Sequence, residues 1–481
     1  MTEKMMNSRE YLPKPNRVEG RYWYDDEGVQ YSESWTRLIK SNPELINYKV
    51  IEGCEEIGDY AFYNADSLES ITLPTGLKKI GMLSFSGCHS LKKIDIPDSV
   101  IEIAEEAFMD LSELEEVRLS SSLKTISNNC FADCPRLKTI NLPDSIISIG
   151  NNAFSDCSSL SEIRLSNSLK TLEGEAFFGC ISLEEIILPN SLETITGNPF
   201  IACQSLSSII SHTHRFEFKD GLLISSEGEV ISCLNDSEKI ELDQSIISIG
   251  RGGFSHSQRL KEIIIPDSVQ RIGDWAFQYC SSLEEIRLPS NLKKIEDEVF
   301  ADCSSLESIS LPETVESIGS WAFSDCSSLR SIKLSKSLAL IDEWAFSGCS
   351  QLSELSFPSA LRKIGEGAFQ YSTNIKTIGF EDGIEEIGDW AFSYLMNLVE
   401  VSLPETITSI GSYAFSDTLK LKSIYIPNSL KIIGVEAFPE DIIMKVADSH
   451  PMLVSEDSKT YLEFRYHRAF AHRFENIEII Q

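Results

Sequence analysis

Twelve cysteines, one His-x-His pair, recurrent paired carboxylates and a set of tryptophans are the residues of this 481-residue chain whose types could do chemistry. Cysteines would supply disulfides or a zinc site, His212 and His214 two imidazoles on one side of a strand, Glu284 and Glu285 an acid and a base, and the tryptophans flat faces for a ligand. Spacing decides among these. Nine cysteines, Cys88, Cys134, Cys157, Cys180, Cys203, Cys280, Cys303, Cys326 and Cys349, each stand three residues after a phenylalanine. Other copies of that context hold Ala65, Leu111, Ser257, Ser372, Leu395 or Thr418 at the same place, so the slot asks for a small or apolar group, not a thiol. Side chains stacked in successive copies of a unit stand about 5 Å apart, which fits poorly to the ~3.8 Å between Cβ atoms of a disulfide. Steps of 23 residues do not match a zinc motif either. Free structural thiols are expected, which favours a reducing compartment.

The remaining candidates are weaker as chemistry. His212 and His214 have no third ligand near them in sequence, and Glu284 and Glu285 recur with the repeat as a solvated surface. The chain contains no nucleophile elbow, no glycine-rich phosphate loop and no His-Glu-x-x-His. No catalytic constellation and no cofactor or metal site is expected; an enzyme would need a site completed by an internal or C-terminal segment. A net charge of −32, from 74 acidic and 42 basic residues, argues against nucleic acid and anionic membrane, because phosphate binding needs a concentrated basic surface. The opening stretch MTEKMMNSREYLPKPN has no apolar signal-peptide core, and no run of eighteen apolar residues follows, so a cytoplasmic location without membrane insertion is the expectation, with cell surface or secretion as the alternative.

The elements that position these residues are set by a repeat. Phe62, Phe85, Phe108, Phe131, Phe154, Phe177 and Phe200 are each 23 residues apart, as are Phe254, Phe277, Phe300, Phe323, Phe346, Phe369, Phe392, Phe415 and Phe438. The unit reads L-x-x-I-x-L-P-x-x-L-x-x-I-G-x-x-A-F-x-x-C-x-x. In LESITLP and LEEIRLP, apolar and polar residues alternate as in a strand with one buried face. A proline such as Pro74 or Pro289 then ends the ladder, and a second apolar stretch such as LKKIG follows. One unit cannot bury its own apolar face, so neighbours must stack.

This pattern resembles the BspA-like leucine-rich repeat family over about residues 51 to 438. The resemblance implies a β-rich solenoid of about sixteen coils stacked into a curved parallel sheet, and a non-catalytic binding role, often at a microbial surface. The parts are expected to be a tail at 1–22, a capping hairpin at 23–50, a first repeat block at 51–211, a hairpin insertion at 212–240, a second block at 241–440 and a cap at 441–481. The insertion should protrude as a flap. The cap should contain an amphipathic helix with Leu462, Tyr466, Phe470 and Phe474 on one face, Asp457 or Ser458 as N-cap, and Arg465, His467, Arg468, His472 and Arg473 opposite.

Two surfaces are candidates for recognition. The first-strand face, concave in proteins of this kind, is polar and mixed in charge, with Arg118, Arg164, Arg287 and Tyr425 its only hot-spot residue types. The other lies two residues before the ladder phenylalanine, where Tyr60 stands in the first block and Trp275, Trp321, Trp344, Trp390 and Tyr413 in the second. Glu and Asn at that position elsewhere require it to be partly exposed. Tyr279, Tyr371 and Tyr394, two residues after the phenylalanine, would widen the stripe. The expected role is protein–protein recognition or adhesion, with self-association possible; the alternative is a glycan stacked on the Trp and Tyr faces.

Overall fold

A computed structural model describes residues 22–353, 355–447, 453–456, 459–462 and 477–480. Each 23-residue unit makes one coil with three sides. The first side is a short strand such as Glu285–Arg287, whose Ile286 packs against the core while Glu285 and Arg287 stay exposed. It pairs in parallel with the preceding coil, Glu262 against Glu285 and Ile263 against Ile286, so the register is one repeat length. The second side is a two-residue strand, as in Ser317 and Ile318 against Leu340 and Ile341.

The third side is not a strand, yet it is hydrogen-bonded just as regularly. Trp321, Phe323 and Asp325 donate their N–H groups to the carbonyls of Glu343, Ala345 and Ser347 in the next coil, at 2.9, 2.7 and 2.8 Å. Between them, Ser324 and Cys326 donate within the coil to the carbonyls of Trp321 and Phe323. The backbone achieves this alternation by taking left-handed φ at Trp321 (59°) and Asp325 (55°), on either side of the buried phenylalanine. Alternate backbone N–H groups on this side therefore find carbonyls in the next coil without a pleated strand.

The core is a column of phenylalanine rings. Phe323 and Phe346 have centroids 5.0 Å apart and planes 2° apart, and Phe346 and Phe369 repeat this at 5.0 Å and 6°. The slot three residues later carries more than volume. The thiols of Cys88, Cys134, Cys157, Cys180, Cys203, Cys280, Cys303, Cys326 and Cys349 each donate to the phenylalanine carbonyl of the preceding coil, at 3.0 to 3.4 Å. Ser372 makes the same bond through its hydroxyl at 2.8 Å. The position accepts a small donor that makes this bond, which explains why Ser can replace Cys, while Ala65, Leu111 and Leu395 fill it without donating.

All twelve cysteines are free and all but Cys233 are buried. Burial pushes the Cys88 and Cys203 thiols up to about 12, and Cys303 and Cys349 well above the ordinary thiol value for the same reason. A protonated, sealed thiol is a poor nucleophile. The native protein, prepared without reductant, should give almost no reaction with a chromogenic disulfide reagent at pH 8, and all twelve thiols after unfolding. Recovery of only a few from the unfolded chain would show that these cysteines oxidise.

The repeat is interrupted once, and here the structure corrects the expectation of a protruding hairpin. Three strands, Phe216–Lys219, Leu222–Ser225 and Glu229–Cys233, form an antiparallel meander, and the last joins the second-side ladder through Glu229 and Val230 against Ser248 and Ile249. Leu223 and Ile231 enter the core of the first block, whereas Leu222 and Val230 enter that of the second. A segment whose two faces are claimed by two cores has no apolar reason to stand out as a flap. The chain start has the same layout: Trp23–Tyr24, Gln30–Tyr31 and Arg37–Lys40 form a meander, and Arg37 and Leu38 pair with Glu56 and Ile57. Arg37, Glu56 and Phe62 stand 192 residues before Glu229, Ser248 and Phe254, so both blocks open with one and the same device. At the chain start it is latched by Tyr31 and Tyr48, whose hydroxyls lie 2.6 Å apart, with Tyr48 donating to Asp25 at 2.5 Å.

The two blocks also abut directly. Asn198 donates its side-chain amide to the Gly252 carbonyl at 2.8 Å, and Arg251 reaches Glu175 at 3.4 Å.

Of the apolar face of the predicted C-terminal helix only Leu462 lies among the described residues, and it stands in a strand. Lys459–Leu462 is a strand paired antiparallel with Leu453–Glu456, and Ile477–Ile480 adds in parallel to Ile443–Ala447. Tyr466, Phe470, Phe474 and the basic residues from Arg465 to Arg473 lie outside the described residues, as do Asp457 and Ser458. The free edge of Ile443–Ala447 offers a ladder that the β-branched stretch IEII completes.

Candidate recognition surface

The first-strand face uses its charges internally. Arg118 pairs with Asp95 at 2.5 Å and Asp98 at 3.3 Å, Lys93 with Glu116 at 2.5 Å, and Lys239 with Glu262 at 2.6 Å, mostly across one repeat. Tyr425 reaches Glu405 at 3.5 Å. Arg164 and Arg287 make no ion pair among the described residues, but they stand on different blocks and form no cluster. Exposed pairs of this kind contribute about 0–1 kcal/mol each and leave little charge for a partner.

The opposite side of the coil is different. Tyr60, Trp275, Trp321, Trp344, Trp390 and Tyr413 all occupy the first left-handed position, and Tyr279, Tyr371 and Tyr394 the second. An aromatic residue there costs about 1 kcal/mol relative to glycine, because its Cβ crowds the backbone. Gly252 and Gly367 hold the first position in two coils and Gly87, Gly179 and Gly348 the second in three, so a residue without this cost is available to the fold.

The rings are paired. Trp321 and Trp344 stack at 5.3 Å and 13°, Trp390 and Tyr413 at 4.2 Å and 15°, and Tyr371 and Tyr394 at 4.7 Å and 22°. Trp344 lies over Gly367, where an added Cβ would come within 2.4 Å of the indole. The stripe is thus two stacked pairs separated by Gly367, and Glu298 divides it from Trp275. Trp275 is covered by the Arg251 guanidinium, 3.9 Å from the ring centroid. Trp321, Tyr279 and Tyr371 remain 37%, 42% and 49% exposed, and Trp275, Trp344, Trp390, Tyr394 and Tyr413 are half-buried. Tyr60 belongs to a separate pair with Tyr63 near the chain start.

Other sequence candidates fall apart in space. His212 and His214 lie beyond the end of the strand Ser208–Ser211, and no group of three or more His, Cys, Asp or Glu suited to a metal occurs among the described residues. His214 and Glu217 line an open groove of about 720 Å³ between the insertion and the start of the second block, together with Lys219, Asp220 and Asp243.

A solenoid of parallel coils with a ladder on every side, a phenylalanine column and an exposed stripe across its coils is a leucine-rich repeat protein. The model for the BspA type leucine rich repeat region matches residues 40–158, 124–226, 231–343 and 322–444, and the chain belongs to this family. Among solved structures, it is similar to a leucine rich cell surface protein from Faecalibacterium prausnitzii, with 28% identity over 72% of this chain and 94% of that one and a TM-score of 0.61. A leucine-rich repeat protein from Bacteroides ovatus shares 27% identity over 81% of this chain and all of that one, at a TM-score of 0.45. The pneumococcal vaccine antigen PcpA shares 19% over 90% of this chain and 94% of that one, at 0.49. No curated protein matches the chain.

Proposed function

We propose that the chain is a non-catalytic recognition protein that binds a protein partner through the aromatic stripe of its second block. One observation carries this reading: bulky aromatics are held at half-exposed left-handed backbone positions, at a cost to folding, where other coils of the same fold hold glycine, asparagine or glutamate. Strain of this kind is retained at sites with a role other than stability. Stacked face to face in pairs, the rings have fewer free faces for sugar rings than isolated ones would, which favours a protein over a glycan.

The expected cytoplasmic location finds no support. It rested in part on reduced cysteines, but burial shields these thiols from oxidants and disulfide exchange whatever the compartment, so they do not discriminate. The similarity to a protein described as a cell surface protein favours the surface. Among the described residues, no helix is long and apolar enough to cross a membrane.

The test is capture of partners from the source cells and their surroundings by the wild type and by the Trp321→Ala, Trp344→Ala, Trp390→Ala triple variant. Capture should fall about a hundredfold or more, with the circular dichroism spectrum unchanged. Equal capture by both proteins would refute the stripe as the binding surface.

A further inference from the structure

Beyond the first coil of the second block, where Arg251 and His256 stand, the flank that carries the stripe contributes no positive charge of its own. In the seven coils at 272–280, 295–303, 318–326, 341–349, 364–372, 387–395 and 410–418, the segment from the second-strand Ile to the residue after the second left-handed position holds eleven acidic residues and no Lys, Arg or His; of the eleven, Glu296 is already paired with Lys294 and Arg271 from outside the segment. The first-strand face, by contrast, mixes both signs across every few residues. An aromatic surface set among carboxylates attracts one kind of group in particular, a cation that can lie flat on a ring.

The molecule itself shows such a contact. Arg251 lies over Trp275 at 3.9 Å and holds Glu175 at 3.4 Å, so its guanidinium meets an indole and a carboxylate at once. Arg251 stands 24 residues before Trp275. The same offset before Trp321 and Trp390 gives Asp297 and Glu366, both exposed acids. In those two coils the fold therefore provides the ring and a carboxylate and leaves out the cation.

We propose that this flank receives arginine side chains of a basic protein segment, each guanidinium lying on an indole as Arg251 lies on Trp275 and pairing with Asp297 or Glu366. Trp321 and Trp390 are three coils apart, roughly 14 Å, a distance spanned by about four extended residues. A segment with arginines at that spacing would run along the solenoid axis and engage both rings. The proposal rests on the stripe being the recognition surface and names the chemistry it recognises.

The test uses the full chain and three synthetic peptides: alternating arginine and serine, the lysine counterpart, and the citrulline counterpart, which keeps the planar group without the charge. Calorimetry should show the arginine peptide binding about tenfold more tightly than either of the others. A Trp321→Leu, Trp344→Leu, Trp390→Leu variant should lose about tenfold for the arginine peptide; Leu83 holds the same left-handed position, so leucine is compatible with the fold. Asp297→Asn with Glu366→Gln should weaken binding as well and reduce its salt dependence. Equal affinity for arginine and lysine peptides, unchanged by the Leu variant, would reduce the effect to the net charge of −32 and overturn the proposal. If no peptide binds while partner capture still depends on the tryptophans, arginine recognition is wrong and the recognition surface stands.

Discussion

Excision of residues 301 to 323 is expected to leave a folded, shorter solenoid, whereas excision of residues 301 to 311 alone destroys it. Removing the full unit joins Phe300 to Ser324 in phase, brings Phe346 to the place of Phe323 in the ring column, and sets Ser331–Lys333 in the place that Ser308–Ser310 held. Every coil on either side keeps the same neighbours in kind, and stability in a repeat array is a sum over such neighbours. Its thermal midpoint should move by about 5 °C or less. The shorter deletion removes Ile309 and Leu311 and places polar residues of the following turn at buried positions. Each misplaced core residue costs roughly 2–5 kcal/mol, so the midpoint should fall by about 10 °C or more. Circular dichroism and thermal unfolding of both variants decide the matter; identical behaviour would be incompatible with a register of one repeat.

Phe346→Ala is expected to be among the most damaging single substitutions in the second block. The ring is fully buried and lies 5.0 Å from both Phe323 and Phe369, so its removal opens a gap in the column that neither neighbour can close without leaving its own stack. The loss should be about 3–5 kcal/mol. Phe346→Leu refills most of the volume and should cost about 1–2 kcal/mol. Trp321→Ala makes the contrast sharp, since it removes an equally large ring from a half-exposed, left-handed position and should be near neutral for folding. Denaturant unfolding of the three variants tests the distinction between a ring that holds the fold and a ring that the fold holds out. A Phe346→Ala variant as stable as Trp321→Ala would remove the basis for that distinction.

Some features of the site were readable from residue types and others were not. The two left-handed positions had a signal: Asn64, Gly87, Asp110, Asp133, Asp156, Gly179, Asp302, Asp325, Gly348 and Asp417 share one register, and Asn, Asp and Gly are the residues that tolerate that backbone. The aromatics at Tyr279, Tyr371 and Tyr394 obscured it. The cysteine register gave no hint of its hydrogen bond, because Ala65, Leu111 and Leu395 fill the same slot without donating. The insertion read as a hairpin because two apolar stretches with a Glu-Gly turn are a local signal. Its integration depends on Leu222 and Leu223 facing different cores, which no local pattern contains.

The 23-residue spacing of the phenylalanines alone determined the coil, its parallel register and the alignment of equivalent side chains, because in a stacked array each residue's neighbour is its own counterpart one unit away. It thereby also placed Trp321, Trp344 and Trp390 on one flank. Only the tertiary structure decided which of these rings touch, that Trp344 settles over Gly367, and that Arg251 covers Trp275. It also decided that Lys459–Leu462 and Ile477–Ile480 are strands, the second on the free edge of Ile443–Ala447. The physical reason is the same in each case: periodicity fixes which positions are adjacent, whereas ring orientation, cross-block contacts and edge pairing depend on side chains and free ladder groups that are distant in the chain.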